Sequence, residues 1–207
     1  MYIFARSRSI QPGTIRAGLA AAVEGGSKAS ALVGQPVFVW ASVLSPTVGT
    51  VVWSMRVDDL DSLTGFGDTI AADDGFDEWS RESDALFSGP FTDGVSEVMA
   101  GAPAGPPAAY MSIVSGTCAN GSIAEGMTVG VELAEAAAKI TGHGTMFSAA
   151  VAGAYGAVTW ATGVPDLNTL ADANRTLASD PEWLKLVDRA GHSYAQGVTG
   201  SILRRLN

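Results

Sequence analysis

One cysteine, Cys118, and two histidines, His143 and His192, are all that the 207 residues offer of the usual thiol and imidazole ligands. A lone thiol excludes an intrachain disulfide and a zinc site built on several thiolates, and it suits a reducing compartment, so the expected localisation is cytoplasmic. Two histidines without a carboxylate or a second histidine at ligand spacing do not make a transition-metal site. Basic residues are also scarce: 12 Lys and Arg against 21 Asp and Glu leave a net charge of −9. Neither nucleic acid nor an anionic membrane is therefore an expected partner, because both reward a basic surface. The acid excess gathers around Asp58, Asp59, Asp61, Asp73, Asp74, Asp77 and Glu78, and reads as a solvated helix face.

Long membrane-type runs are missing as well. Ala29 to Met55 and Ile140 to Pro165 carry no charge, but Gly34, Pro36, Pro46 and Gly49 interrupt the first and Gly142, Gly144, Gly153 and Gly156 the second. Paired buried strands account for both stretches. The chain enters a strand-like run, Tyr2 to Arg8, at its start, and no leader of basic then apolar residues is expected. Catalytic motifs are equally thin. Gly191-His192-Ser193-Tyr194-Ala195 imitates a nucleophile elbow, yet it follows a helix and no acid or histidine comes after it. GFGDTI and GHGTMF lack the spacing and the lysine of a phosphate loop.

What the chain does have is an internal repeat. WSMRVDDLDSL from Trp53 returns as WATGVPDLNTL from Trp160, and each copy leads through a helical stretch to an acidic turn and a second tryptophan, Trp79 or Trp183. A repeat of half the chain means two copies of one supersecondary unit. The first copy reads as strand YIFARSRS, an Ala-rich helix stopped at Gly34 and Pro36, a hairpin of PVFVWASVL and TVVWSMRV turning at Ser45–Gly49, a helix capped by Asp58 or Asp59 and broken at Asp74-Gly75, and a last short strand, Val95 to Met99. The second copy repeats this order. The fold class is α+β: two tandem ferredoxin-like βαββαβ units, 1–100 and 109–207, joined by a Pro/Gly/Ala linker at 101–108. Each sheet has helices on one face only, so the two are expected to cover each other as an intrachain, pseudo-dimeric α/β barrel.

The element order, with an interrupted second helix carrying Asp180-Pro181-Glu182-Trp183, resembles the dimeric α/β-barrel superfamily, most of all its NIPSNAP-type and antibiotic-biosynthesis-monooxygenase-type domains. Most members dimerise to build the barrel; this chain resembles a tandem version. The resemblance implies a site in the barrel interior and a small-molecule ligand, with a homo-oligomer possible. It leaves the reaction open, since the superfamily spans cofactor-independent oxygenases, isomerases, haem enzymes and proteins without known activity.

Strand alternation supplies the candidates. Tyr2, Phe4, Arg6 and Arg8 share one face of the first strand, and the large polar set is expected inside. Arg56, on a neighbouring strand with Ser54 and Thr50, is expected to approach Arg6, and a guanidinium pair in an apolar cavity would bind a carboxylate or enolate. Phe38 and Trp40 would line the same cavity. Ile113, Ser115 and Gly163 stand at the expected equivalents of Arg6, Arg8 and Arg56, so the charged site belongs to the first half and the second half serves as lid or wall. The expected activity is a cofactor-independent monooxygenase-like or isomerase-like reaction on an acidic or aromatic substrate. Arg6 and Arg56 would stabilise the anion, and His143 would serve as the base. The competing expectation is a non-catalytic ligand-binding or assembly protein. No cofactor is expected. The resemblance allows haem at His192 as a lesser alternative, although the first strands lack the Asn that accompanies it in haem-degrading relatives.

Overall fold

The computed structural model describes residues 1–47, 49–102 and 107–207. Half of the expected linker, 103–106, and Val48 of the expected hairpin turn lie outside the described residues. The elements are β1 (Tyr2–Ile10), α1 (Ile15–Val33), β2 (Phe38–Leu44), β3 (Thr50–Val57), α2 (Asp61–Ala71), α3 (Asp74–Ser83), β4 (Phe87–Ala100), β5 (Tyr110–Thr117), α4 (Ile123–Thr141), β6 (Thr145–Ala152), β7 (Ala157–Val164), α5 (Leu167–Ser179), α6 (Pro181–Ala190) and β8 (Thr199–Arg205). The strands hydrogen-bond in the order β1-β3-β2-β8-β5-β7-β6-β4 as a closed barrel. The chain divides into two compact units, Met1–Val95 with Arg204–Asn207, and Ser96–Leu203. Strands β4 and β8 each run through a division point.

The first unit is a ferredoxin-like layer built by its sequence pattern. Buried and half-buried residues alternate along β3, with Val51, Trp53, Met55 and Val57 buried. These four pair with Arg8, Arg6, Phe4 and Tyr2 of β1, so all eight side chains leave the sheet on one face. That face meets α1: Trp53 Nε1 donates to Ala22 O at 2.9 Å, and Ile10 packs beneath Gly18. The helix ends at Gly34, which adopts the left-handed conformation and donates to Ser30 O. Asp73 accepts from Phe76 N and opens α3, which accounts for the break between the two shorter helices. At the chain end, Leu206 N donates to Val39 O, and the Asn207 side chain bonds both Val39 N and Val37 O.

The second unit repeats this with a matching register. Val114 stands opposite Trp160, as Arg6 stands opposite Trp53. Trp160 Nε1 donates to Gly130 O of α4 at 2.9 Å, the counterpart of the Trp53–Ala22 bond. Gly130 is required there, because a Cβ would overlap the buried Phe147 ring. Gly142 ends α4 in the left-handed conformation, as Gly34 ends α1. Asp166 caps α5 through Thr169 N, and Asp180 caps α6 through Glu182 N and Trp183 N, with Pro181 at the first helical position.

Two expectations need correction at this level. The last strand of the first copy is 14 residues long, not the short Val95–Met99 segment, because Gly89-Pro90 and Asp93-Gly94 are carried within an extended strand. The pairing register also makes Val114 and Gly116, not Ile113 and Ser115, the equivalents of Arg6 and Arg8; Gly163 remains the equivalent of Arg56. No helix among the described residues is long and apolar enough to cross a membrane, and both uncharged stretches resolve into a helix end and a strand hairpin.

A candidate ligand pocket in the second unit

The expected arginine pair does not form. Arg6 lies opposite Trp53, and Arg56 lies opposite Ile3, three residues along β3, so the two guanidinium groups leave the sheet on opposite faces. The set Tyr2, Phe4, Arg6 and Arg8 faces the helices. Tyr2 and Phe4 pack against the core of the first unit, and both arginines are committed. Arg6 makes a two-pronged pair with Asp93 at 2.7 and 2.8 Å, which raises its pKa further above the ordinary arginine value against the opposing effect of burial. Arg8 donates to Gly89 O and Asp84, and the ring of Phe91 lies 5.2 Å from the Arg6 guanidinium carbon and 4.9 Å from that of Arg8. The physical reason for the failed expectation is that Asp93 and Asp84 can satisfy two arginines on the helix side, while Ile3, Ala5 and Ser7 are left to the other face.

That other face carries Phe38, Trp40, Ser54 and Arg56. Phe38 stands opposite Ser54, and Trp40 Nε1 donates to Ser54 Oγ at 2.9 Å. The indole is buried and its polar atom already satisfied. His143 occupies the turn between α4 and β6, where its backbone N–H donates to Thr141 Oγ1. His192 is exposed in the turn after α6.

The helix side of the second unit holds what sequence reasoning missed. A pocket of about 510 Å³ opens between the sheet and α4, α5 and α6, within the usual size range for small-molecule sites. Its floor is Ser112 and Val114 of β5, Thr145 of β6, and Trp160 and Thr162 of β7. Leu133, Ala137 and Thr141 come from α4, and Leu170, Ala173 and Asn174 from α5. Trp183, Val187 and Ala190 of α6 and the segment from Tyr194 to Val198 close it. None of the lining residues carries a formal charge at neutral pH. Tyr194 donates to Gly126 O and meets Trp160 edge-on with ring centroids 5.2 Å apart. Burial, with a smaller contribution from Cys118, pushes its phenol well above the ordinary tyrosine value. Cys118 itself is buried, and burial raises its pKa too.

The pocket exists because the two copies differ where their architecture agrees. Counting through the matched strands, Phe4 and Arg6 correspond to Ser112 and Val114. Phe87 and Tyr194 each place a ring edge-on against the shared tryptophan, and four residues further on Phe91 corresponds to Val198. In the first unit Phe4 and Phe91 flank the Arg6 guanidinium, and Phe91 also packs edge-on against Trp53. In the second unit smaller residues at the same places leave space. The signal was available in the sequence only through the register, which the alignment by motif had displaced by one residue on β5.

No protein-family model matches the chain, and no curated protein is similar enough to match. Solved structures do match. A protein of Fusobacterium nucleatum that carries a provisional monooxygenase name aligns over 100% of this chain and 92% of its own, with TM-score 0.71 and 8% identity. An anthrone oxidase-like protein aligns over 100% and 91%, with TM-score 0.68 and 9% identity. A chlorite dismutase variant from Candidatus Nitrospira defluvii aligns over 98% and 91%, with TM-score 0.54 and 10% identity. The chain shares the α+β barrel fold of these structures. At such identities the likeness shows the fold alone.

Haem, the cofactor some proteins of this fold hold, does not fit the residues present. His192 is exposed and lies outside the pocket lining, which supplies no imidazole or thiolate, and the one phenol is engaged with Gly126 O. Among the described residues no group of three or more His, Cys, Asp or Glu could hold a metal ion.

Proposed function

We propose that this protein binds an uncharged, mostly apolar small molecule in the helix-side pocket of its second unit. The observation that carries the reading is a pocket of about 510 Å³ whose lining includes two tryptophans and no formally charged side chain. A charged ligand would forfeit its hydration there without a compensating partner. An uncharged body of two or three fused rings gains by burial, at about 25 cal/mol per Å² of apolar surface removed from water.

Binding fits the lining better than acid–base catalysis does. A cofactor-independent oxygenase-like or isomerase-like reaction begins with proton removal from the substrate. The lining contains no carboxylate or histidine, and the Tyr194 phenol is held neutral. Any such activity would be limited to a substrate acidic enough to ionise unaided. The fold neighbours support a small-molecule role in general and do not select among oxidase, monooxygenase and dismutase chemistry.

Titration with N-phenyl-1-naphthylamine, an uncharged fluorophore that brightens in apolar surroundings, tests the reading. Saturable binding at one site per chain is expected. It should be abolished by Ser112→Phe, which installs the first unit's Phe4, and be unchanged by Arg56→Ala. Binding that survives Ser112→Phe in a folded variant would place the ligand elsewhere and end the proposal.

A further inference from the structure

The internal repeat offers a comparison that requires no other protein. Where the helix-side layer of the first unit has Phe4, Val33, Val37 and Met55, the second has Ser112, Thr141, Thr145 and Thr162. In the first unit these are core positions: Val37 and Met55 belong to the buried cluster, and Phe4 and Val33 pack against that cluster. In the second unit all four carry hydroxyls, and all four line the pocket. Other positions of the layer keep their apolar residues, including Trp160 for Trp53 and Leu170 for Leu63. Replacing apolar core groups by hydroxyls costs stability unless the hydroxyls are satisfied, so four such changes at one end of one cavity need a reason.

The geometry supplies one. Strand order β5-β7-β6 sets Ser112, Thr162 and Thr145 side by side in a single row, since Thr162 is the register partner of both neighbours. Thr145 and Thr162 bond each other, Oγ1 to Oγ1, at 2.8 Å. Thr145 is only 4% exposed. One hydroxyl of that pair must donate and the other accept, and among the described residues no further partner takes the second O–H. Thr141 donates to Ala137 O and accepts from His143 N, so its hydroxyl is already engaged within the protein. Asn174, where the first unit has Gly67, adds a side-chain amide to the lining. Trp160 lies two residues along β7 from Thr162, and Tyr194, which packs against its ring, and Val198 line the pocket beyond it.

Resting on the pocket reading above, we infer that the Ser112–Thr162–Thr145 row is a head-group subsite. It selects a ligand whose apolar body ends in an uncharged carbonyl or hydroxyl group. The spare threonine proton donates to the ligand oxygen, and the apolar body lies along Trp160 toward Val198. The row is a specificity determinant and carries no bond-making chemistry.

Fluorenone and fluorene test this directly, because they match in shape and differ in one carbonyl oxygen. Wild-type protein should bind fluorenone about tenfold more tightly than fluorene, the scale of one well-made buried hydrogen bond. The variant Thr145→Val with Thr162→Val restores apolar residues such as the first unit carries. It should bring the two affinities together mainly by weakening fluorenone, with fluorene still bound and thermal unfolding confirming the fold. Equal wild-type affinities, or a preference that survives the double variant, would overturn the head-group inference while leaving the pocket intact. Binding of neither compound would remove the pocket reading and the inference with it.

Discussion

Tyr194 ties several elements of the second unit together. Its hydroxyl donates to Gly126 O on α4, its ring meets Trp160 of β7, and its backbone bridges to Cys118 just after β5. Removing the hydroxyl takes away the second donor to a helix carbonyl, so Tyr194→Phe should cost about 1 kcal/mol at neutral pH. The same residue sets an alkaline limit. Burial raises its pKa in the folded protein above that of the unfolded chain. The folded state therefore keeps a proton that the unfolded chain has already released, and the stability this provides is complete below the ordinary tyrosine value of about 10 and declines as pH rises beyond it. Urea midpoints measured from neutral pH upward should fall once that value is passed, and Tyr194→Phe should flatten part of the fall. An unchanged slope in the variant would assign the alkaline loss to other groups.

At the scale of elements, α6 is the wall that completes the pocket, since it brings Trp183, Val187 and Ala190 to it. Its start is fixed by Asp180, which accepts from Glu182 N and Trp183 N, both at 2.9 Å. Asp180→Ala should destabilise the protein by about 1 kcal/mol, weaken binding of the uncharged fluorophore through a frayed first turn, and be largely rescued by Asp180→Asn. Urea unfolding and fluorophore titration together check this, because full-strength binding in Asp180→Ala would show that the wall does not depend on its cap. The cap, the Pro181 start and the break before it are all legible in the sequence, since Asp-Pro-Glu-Trp states them locally. So are the hairpins and the order of elements, which follow from β-branched runs and glycine stops. The face of β1 was not legible. Tyr2, Phe4, Arg6 and Arg8 alternate as expected, but which side they take depends on Asp84 and Asp93, more than 70 residues away. Strand β4 was obscured for a related reason: Gly89-Pro90 and Asp93-Gly94 have poor strand propensity, and pairing along the ladder overrides it.

At the scale of the whole chain, duplication has left one copy filled and the other hollow. Phe4, Arg6 and Phe91 occupy in the first unit the volume that Ser112, Val114 and Val198 vacate in the second. If that difference is the whole cause of the pocket, it can be transferred. Phe4→Ser, Arg6→Val and Phe91→Val together should open a second cavity in the first unit and raise the fluorophore stoichiometry from one site per chain to two. The cost should be large: truncating a packed phenylalanine removes about 3–5 kcal/mol in a closed core. Here it is smaller for Phe91, which is 44% exposed. The new site should also lack the preference for fluorenone, because Met55 and Val37 still stand where Thr162 and Thr145 confer it. A folded triple variant that keeps one site per chain would mean that the helices of the first unit collapse onto the vacated space. The hollow in the second unit would then depend on the spacing of α4, α5 and α6 as well as on small side chains beneath them.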